Sequence, residues 1–179
     1  MSKKMKITKN TLLKHFHVKD LWFIGDVSDD SARDFLEKMR DVVEEIMSVP
    51  NARKETVIRV NICSTGGDVD PGWSICNYIE NCPIPVWTHI SGTAQSMAAA
   101  IFMSGHIRSC AREATMMVHH FQVTTTGSPT EASSNAQFFS NNEKLYAKKF
   151  PNLKFTDTMG DIYMDSKEIV KKGWVSFIM

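Results

Sequence analysis

Strand-like and helix-like segments alternate through most of this 179-residue chain, which predicts an α/β domain with a largely parallel sheet. Two further observations support that class. Short β-branched or apolar runs end at glycine, proline or turn residues, and the stretches between them carry apolar residues at helical spacing. No linker, internal repeat or low-complexity tract divides the chain, so residues 1–179 are expected to form one domain.

The elements follow in order. Residues 1–20 are polar and read as an N-terminal segment. Leu21-Trp22-Phe23-Ile24 is a short strand ended by Gly25-Asp26. Ser28-Asp29-Asp30-Ser31 has turn and N-cap chemistry. From Ala32 to about Ser48, Phe35, Leu36, Met39, Val42, Val43, Ile46 and Met47 mark one helix face, and Pro50-Asn51 stops it. Thr56 to Cys63 is a buried strand. Ser64-Thr65-Gly66-Gly67-Asp68 is a tight loop, and Asp70-Pro71 opens a helix to about Asn81. Val86 to Ile90 is the next strand, and the alanine-rich segment after Ser96 is a helix ending near Gly105. Ile107–Cys110 and Thr115–Val118 are short strands. Ser128-Pro129-Thr130-Glu131 starts a helix that runs toward Lys149 and ends before Pro151. Asp165 to Glu168 caps a last helix ending at Gly173, and Trp174 to Ile178 closes the chain as a strand.

Composition excludes several functions. A net charge of +1 offers no electrostatic footing for nucleic acid or an anionic membrane. No apolar run is long enough to span a bilayer, and no apolar segment follows the basic start as in a signal peptide. The four cysteines form no C-x-x-C pair and read as buried free thiols, so a cytoplasmic location is expected. No phosphate-loop motif is present.

Four features carry chemistry. Ser96 lies between a strand and a helix start, where backbone N–H groups point outward; the bland alternative is a small packing residue. The residue two places on is Ala98, so this is not the G-x-S-x-G elbow of α/β-hydrolases. His119-His120 follows a strand directly, where α/β active sites collect. A metal site adding His15 and His17 is disfavoured, because adjacent strand residues point to opposite faces. Gly66-Gly67 lets backbone amides approach a ligand. Asp161 is an isolated acid before an apolar segment, with Asp157 and Asp165 as competitors. Together these supply the parts of serine acyl-transfer chemistry: Ser96 as nucleophile, His119 as base, Asp161 as orienting acid, and the N–H groups of Gly67 and Met97 as oxyanion donors. No cofactor or metal is expected.

The motifs Asn61-Ile62-Cys63-Ser64-Thr65-Gly66-Gly67-Asp68-Val69, Gly92-Thr93-Ala94-Gln95-Ser96-Met97-Ala98, Met116-Met117-Val118-His119 and Gly160-Asp161, with Lys167 to Val175, resemble the proteolytic subunit of Clp protease, the ClpP family of serine peptidases. Phe23-Ile24-Gly25-Asp26-Val27 is similar to that family's first core strand and turn. The resemblance implies a ClpP/crotonase-like fold of repeated ββα-type units with a protruding handle, here about residues 121–155. It implies Ser96, His119 and Asp161 as the catalytic set, choosing His119 over His120 and Asp161 over Asp157 and Asp165. Gly67 and Met97 match its oxyanion donors, and Gly66, Val69, Phe121 and Val123 would contact substrate. Its implied partners are a peptide or unfolded protein, further copies of the chain in a heptameric ring or tetradecameric double ring, and a Clp-type ATPase unfoldase. The family usually follows its histidine with Gln-Pro and a glycine-rich strand; this chain has His120-Phe121-Gln122-Val123-Thr124-Thr125-Thr126-Gly127. Two alternatives accompany this expectation: a structural or regulatory ClpP-like subunit that hardly cleaves, and an acyl-CoA enzyme of the related crotonase fold.

Overall fold

The computed structural model describes residues 9–121, 128–156 and 160–179. Its elements are α1 (Lys9–His15), β1 (His17–Ile24), α2 (Asp29–Ser48), α3 (Ala52–Glu55), β2 (Thr56–Ser64), α4 (Val69–Glu80), β3 (Val86–Gln95), α5 (Met97–Met103), β4 (Ile107–Cys110), β5 (Thr115–Val118), α6 (Pro129–Lys148), β6 (Ile162–Asp165), α7 (Ser166–Lys171) and β7 (Phe177–Ile178). This is the expected α/β class with a mostly parallel sheet, consistent with a ClpP/crotonase-like fold.

Strands β1-β2-β3-β4-β7 lie side by side, all parallel. β3 is the pivot. Its first half, Trp87 to Ile90, pairs with β4; its second half, Thr93 to Gln95, pairs with β5. β6 then adds antiparallel to β5. The sheet therefore forks along β3, and the strand that takes over, β5, ends beside the residue at which β3 ends.

Ile58, Val60 and Ile62 of β2 and Val86 and Ile90 of β3 are fully buried, in one core with Phe35, Met39, Ile75 and Ile79 of α2 and α4. Burying such side chains supplies the main driving force for folding. On the opposite face a second, smaller cluster gathers Val57 and Trp87 with Phe16, Val18, Ile107 and Phe177.

Several boundaries differ from expectation. β1 begins at His17, not Leu21, because its first half pairs with Thr56 to Arg59 at the sheet edge while leaving polar residues exposed. α4 begins at Val69 with Asp68, not Asp70, as N-cap. The Asp68 N–H is pinned to the Val27 carbonyl at 2.8 Å, so the chain turns into the helix directly from the glycine pair. Pro71 then falls within the first turn, where no intrahelical N–H is needed. β3 continues past Ile90 to Gln95 because β5 replaces β4 as its partner. β6 forms from what the sequence marks only as an apolar segment, and α1 and α3 add two helices beyond those the sequence predicts. The closing strand shrinks to Phe177–Ile178, since Trp174 is buried and its N–H bonds back to the Ile169 carbonyl at the end of α7. Cys76 and Cys110 are buried free thiols, but Cys63 and Cys82 are only half-buried.

Candidate active site

Ser96 joins β3 to α5 with φ +51° and ψ −124°, a conformation that costs a non-glycine residue about 1–3 kcal/mol. Its surroundings hold it there. The Ser96 N–H donates to the Met117 carbonyl of β5 at 2.9 Å. Its carbonyl accepts from the Ala99 N–H at 2.9 Å and from the Tyr146 hydroxyl at 2.9 Å. The hydroxyl does not cap the helix it precedes. It lies 2.7 Å from Nε2 of His119 instead.

The fork in β3 explains that contact. β5 runs parallel to the end of β3, with Gln95 level with Met117, so the residue just past β5 arrives beside the residue just past β3. The β5–β6 ladder then accounts for the acid. Val118 pairs with Ile162, and one step beyond the ladder His119 stands opposite Asp161. The separation from His119 Nδ1 to Asp161 Oδ1 is 3.8 Å, with the imidazole 14% exposed and the carboxylate 51% exposed. This is longer than a hydrogen bond, as contacts in unliganded active sites often are.

The glycine loop packs directly on the serine turn. A Cβ at Gly66 (φ +92°) would lie 2.6 Å from the Gln95 carbonyl oxygen, 2.8 Å from Ser96 Cβ and 2.9 Å from the Met97 nitrogen. Only glycine permits that approach. Val27 bonds to the Gly66 carbonyl and the Asp68 N–H, both at 2.8 Å, so the intervening Gly67 N–H points away from Val27. Met97 is the first residue of α5, so its N–H has no acceptor within the helix.

The remaining expected residues divide. Val69 and Gly67 line a cleft of about 440 Å³ with Asp68, Asp70 and Phe138. Phe121 packs its ring against Tyr146, with centroids 5.0 Å apart, so its side chain belongs to an aromatic cluster. Val123 and the competitor Asp157 lie outside the described residues. Asp165 caps α7, accepting from the Glu168 N–H at 2.9 Å at the far end of the β5–β6 ladder. His15 and His17 are exposed, and no metal-binding group of three His, Cys, Asp or Glu occurs among the described residues. Burial pushes the Cys76 and Cys110 thiols up to about 11, so neither supplies a thiolate nucleophile near neutral pH.

Two residues escaped the sequence reading. Tyr146 props the Ser96 carbonyl, and Glu143 accepts from both the Phe121 N–H and the His120 ring. No sequence signal marks either residue, because α6 buries only Asn142 and Tyr146 and presents no continuous apolar face.

The family model for Clp protease matches residues 33–179. The chain belongs to the Clp protease family. The match spans β2 to β7 and includes the glycine loop, Ser96, His119 and Asp161. Membership supports a ClpP-like peptidase, and members of this family generally form oligomeric rings. No helix among the described residues is long and apolar enough to cross a membrane.

Proposed function

We propose that this chain is a serine endopeptidase that hydrolyses peptide bonds of unfolded proteins or peptides. The observation that carries the proposal is the 2.7 Å contact between Ser96 Oγ and His119 Nε2 at a turn whose hydroxyl is spared from capping. Ser96 Oγ attacks the scissile carbonyl carbon as His119 Nε2 takes its proton. Asp161 holds the other ring nitrogen in its protonated tautomer and stabilises the imidazolium. The N–H groups of Gly67 and Met97 receive the developing oxyanion. His119 then gives the proton to the leaving amine, and water hydrolyses the acyl-enzyme by the same steps in reverse order of partners.

The assembly that fits the family is a ring of identical subunits, heptameric or doubled to a tetradecamer, which would confine hydrolysis to chains threaded in by a Clp-type ATPase. Native mass measurement reads the copy number directly.

Replacing Ser96 with alanine should lower peptide turnover by about 10⁶ while leaving assembly intact. Undiminished hydrolysis in that variant would refute the mechanism. A second reading, a structural subunit of low activity, draws on the 3.8 Å separation and the exposure of Asp161. It predicts slow turnover in wild type, with assembly alongside a more active partner.

A further inference from the structure

His120 follows the proposed base directly, and its ring is held at both nitrogens. Nδ1 lies 2.6 Å from Glu143 Oε1 on α6, and Nε2 lies 2.7 Å from the Thr156 carbonyl oxygen. A carbonyl oxygen only accepts, so Nε2 carries a proton. An ionised carboxylate only accepts, so Nδ1 carries one too. Glu143 Oε1 also accepts from the Phe121 N–H at 3.2 Å, which suits a carboxylate. In a neutral ring, one nitrogen lone pair would face an oxygen.

The clamp joins three parts of the site. Adjacent residues of an extended chain project to opposite sides. His119 turns to Ser96 and Asp161, while His120 turns to Glu143 of α6 and the Thr156 carbonyl. Glu143 is one helical turn from Tyr146, whose hydroxyl holds the Ser96 carbonyl. The Phe155 ring stands nearly perpendicular to those of both His120 and Tyr146, with centroids 5.9 Å away in each case. Among the described residues, Glu143 of α6 and, from the segment after α6, the Thr156 carbonyl and Phe155 face the ring; its neighbour His119 faces Ser96 and Asp161.

We propose that His120 is a positioning residue: as a cation between Glu143 and the Thr156 carbonyl it fixes the end of β5, and with it His119, and Ser96 loses reactivity when His120 loses a proton. This rests on Ser96 being the nucleophile. The doubly protonated ring makes both contacts, so the clamp is present at low pH and released as pH rises. His119 must be neutral to act as a base, so its requirement runs the other way. The two together make Ser96 reactivity bell-shaped in pH.

The test uses the full chain in its native assembly, with a fluorophosphonate probe and histidine ¹⁵N resonances. His120 should show two protonated nitrogens at the pH where Ser96 labels fastest; a singly protonated ring there overturns the proposal. The wild-type labelling rate should fall on the alkaline side. His120→Gln should lack that fall and label roughly 10- to 100-fold more slowly at the wild-type optimum. Glu143→Gln keeps the shape but removes the charge, and should move the alkaline fall to lower pH; it decides the matter should His120→Gln not fold. Wild type labelled with the same pH profile as both variants overturns this inference and leaves the nucleophile standing. A wild type that takes no label at any pH overturns the nucleophile, and this inference with it.

Discussion

Every residue of α5, from Met97 to Met103, is buried, whereas α6, nearly three times as long, buries only Asn142 and Tyr146. Both helices act on Ser96. α5 starts at the next residue and is locked into the core; α6 reaches the Ser96 carbonyl through one tyrosine hydroxyl. The contrast extends to the contacts that Ser96, His119 and Asp161 make. The Ser96–His119 contact is set by β3 and β5 in the sheet and is short, 2.7 Å. The His119–Asp161 approach lies just beyond the end of the β5–β6 ladder and is looser, 3.8 Å, with an exposed carboxylate. The half-buried Ser96 is thus seated on the packed interior, while Asp161 lies at the periphery.

Perturbing the two halves should give effects of different kind and size. Phe102→Ala, which empties a fully buried site on α5, should cost about 3–5 kcal/mol in urea unfolding. A cost below 1 kcal/mol would mean α5 is not the rigid half. Asp161→Asn should leave stability unchanged and lower kcat/KM by roughly 10²- to 10³-fold. That is less than for a buried triad aspartate, because solvent already reaches this carboxylate; an unaltered kcat/KM would remove Asp161 from the mechanism. Tyr146→Phe should cost about 1 kcal/mol, since the Ser96 carbonyl keeps the Ala99 N–H, and should slow Ser96 labelling a few-fold. Stability and labelling both equal to wild type would show that α6 does not support the serine. Phe138→Ala, on the exposed first half of α6, should stay within about 0.5 kcal/mol of wild-type stability at protein concentrations low enough to disperse assemblies.

The same division governs what the sequence reveals. β4 and β5 are legible to the residue because turn chemistry bounds each short run. The capping boxes at Ser28, Ser128 and Asp165 mark three helix starts because local hydrogen bonds decide them. The second half of β3 is not legible, since its strand character comes from β5, a partner distant in sequence. β6 is hidden for the same reason: four residues with no turn signal become a strand only by pairing with β5. Ser96 and His119 stand out by position at a helix start and a strand end. Asp161 is separable from Asp165 only through strand register or family resemblance. The Tyr146 and Glu143 contacts arise from how α6 docks, which helical periodicity alone does not encode.

Ser96 as an activated nucleophile is the central claim, and intact-mass measurement after fluorophosphonate treatment tests it most directly. Wild type should gain one adduct per chain, mapped to Ser96, and Ser96→Ala should gain none under identical conditions. An unlabelled wild type, or an adduct that persists in Ser96→Ala, would contradict the account.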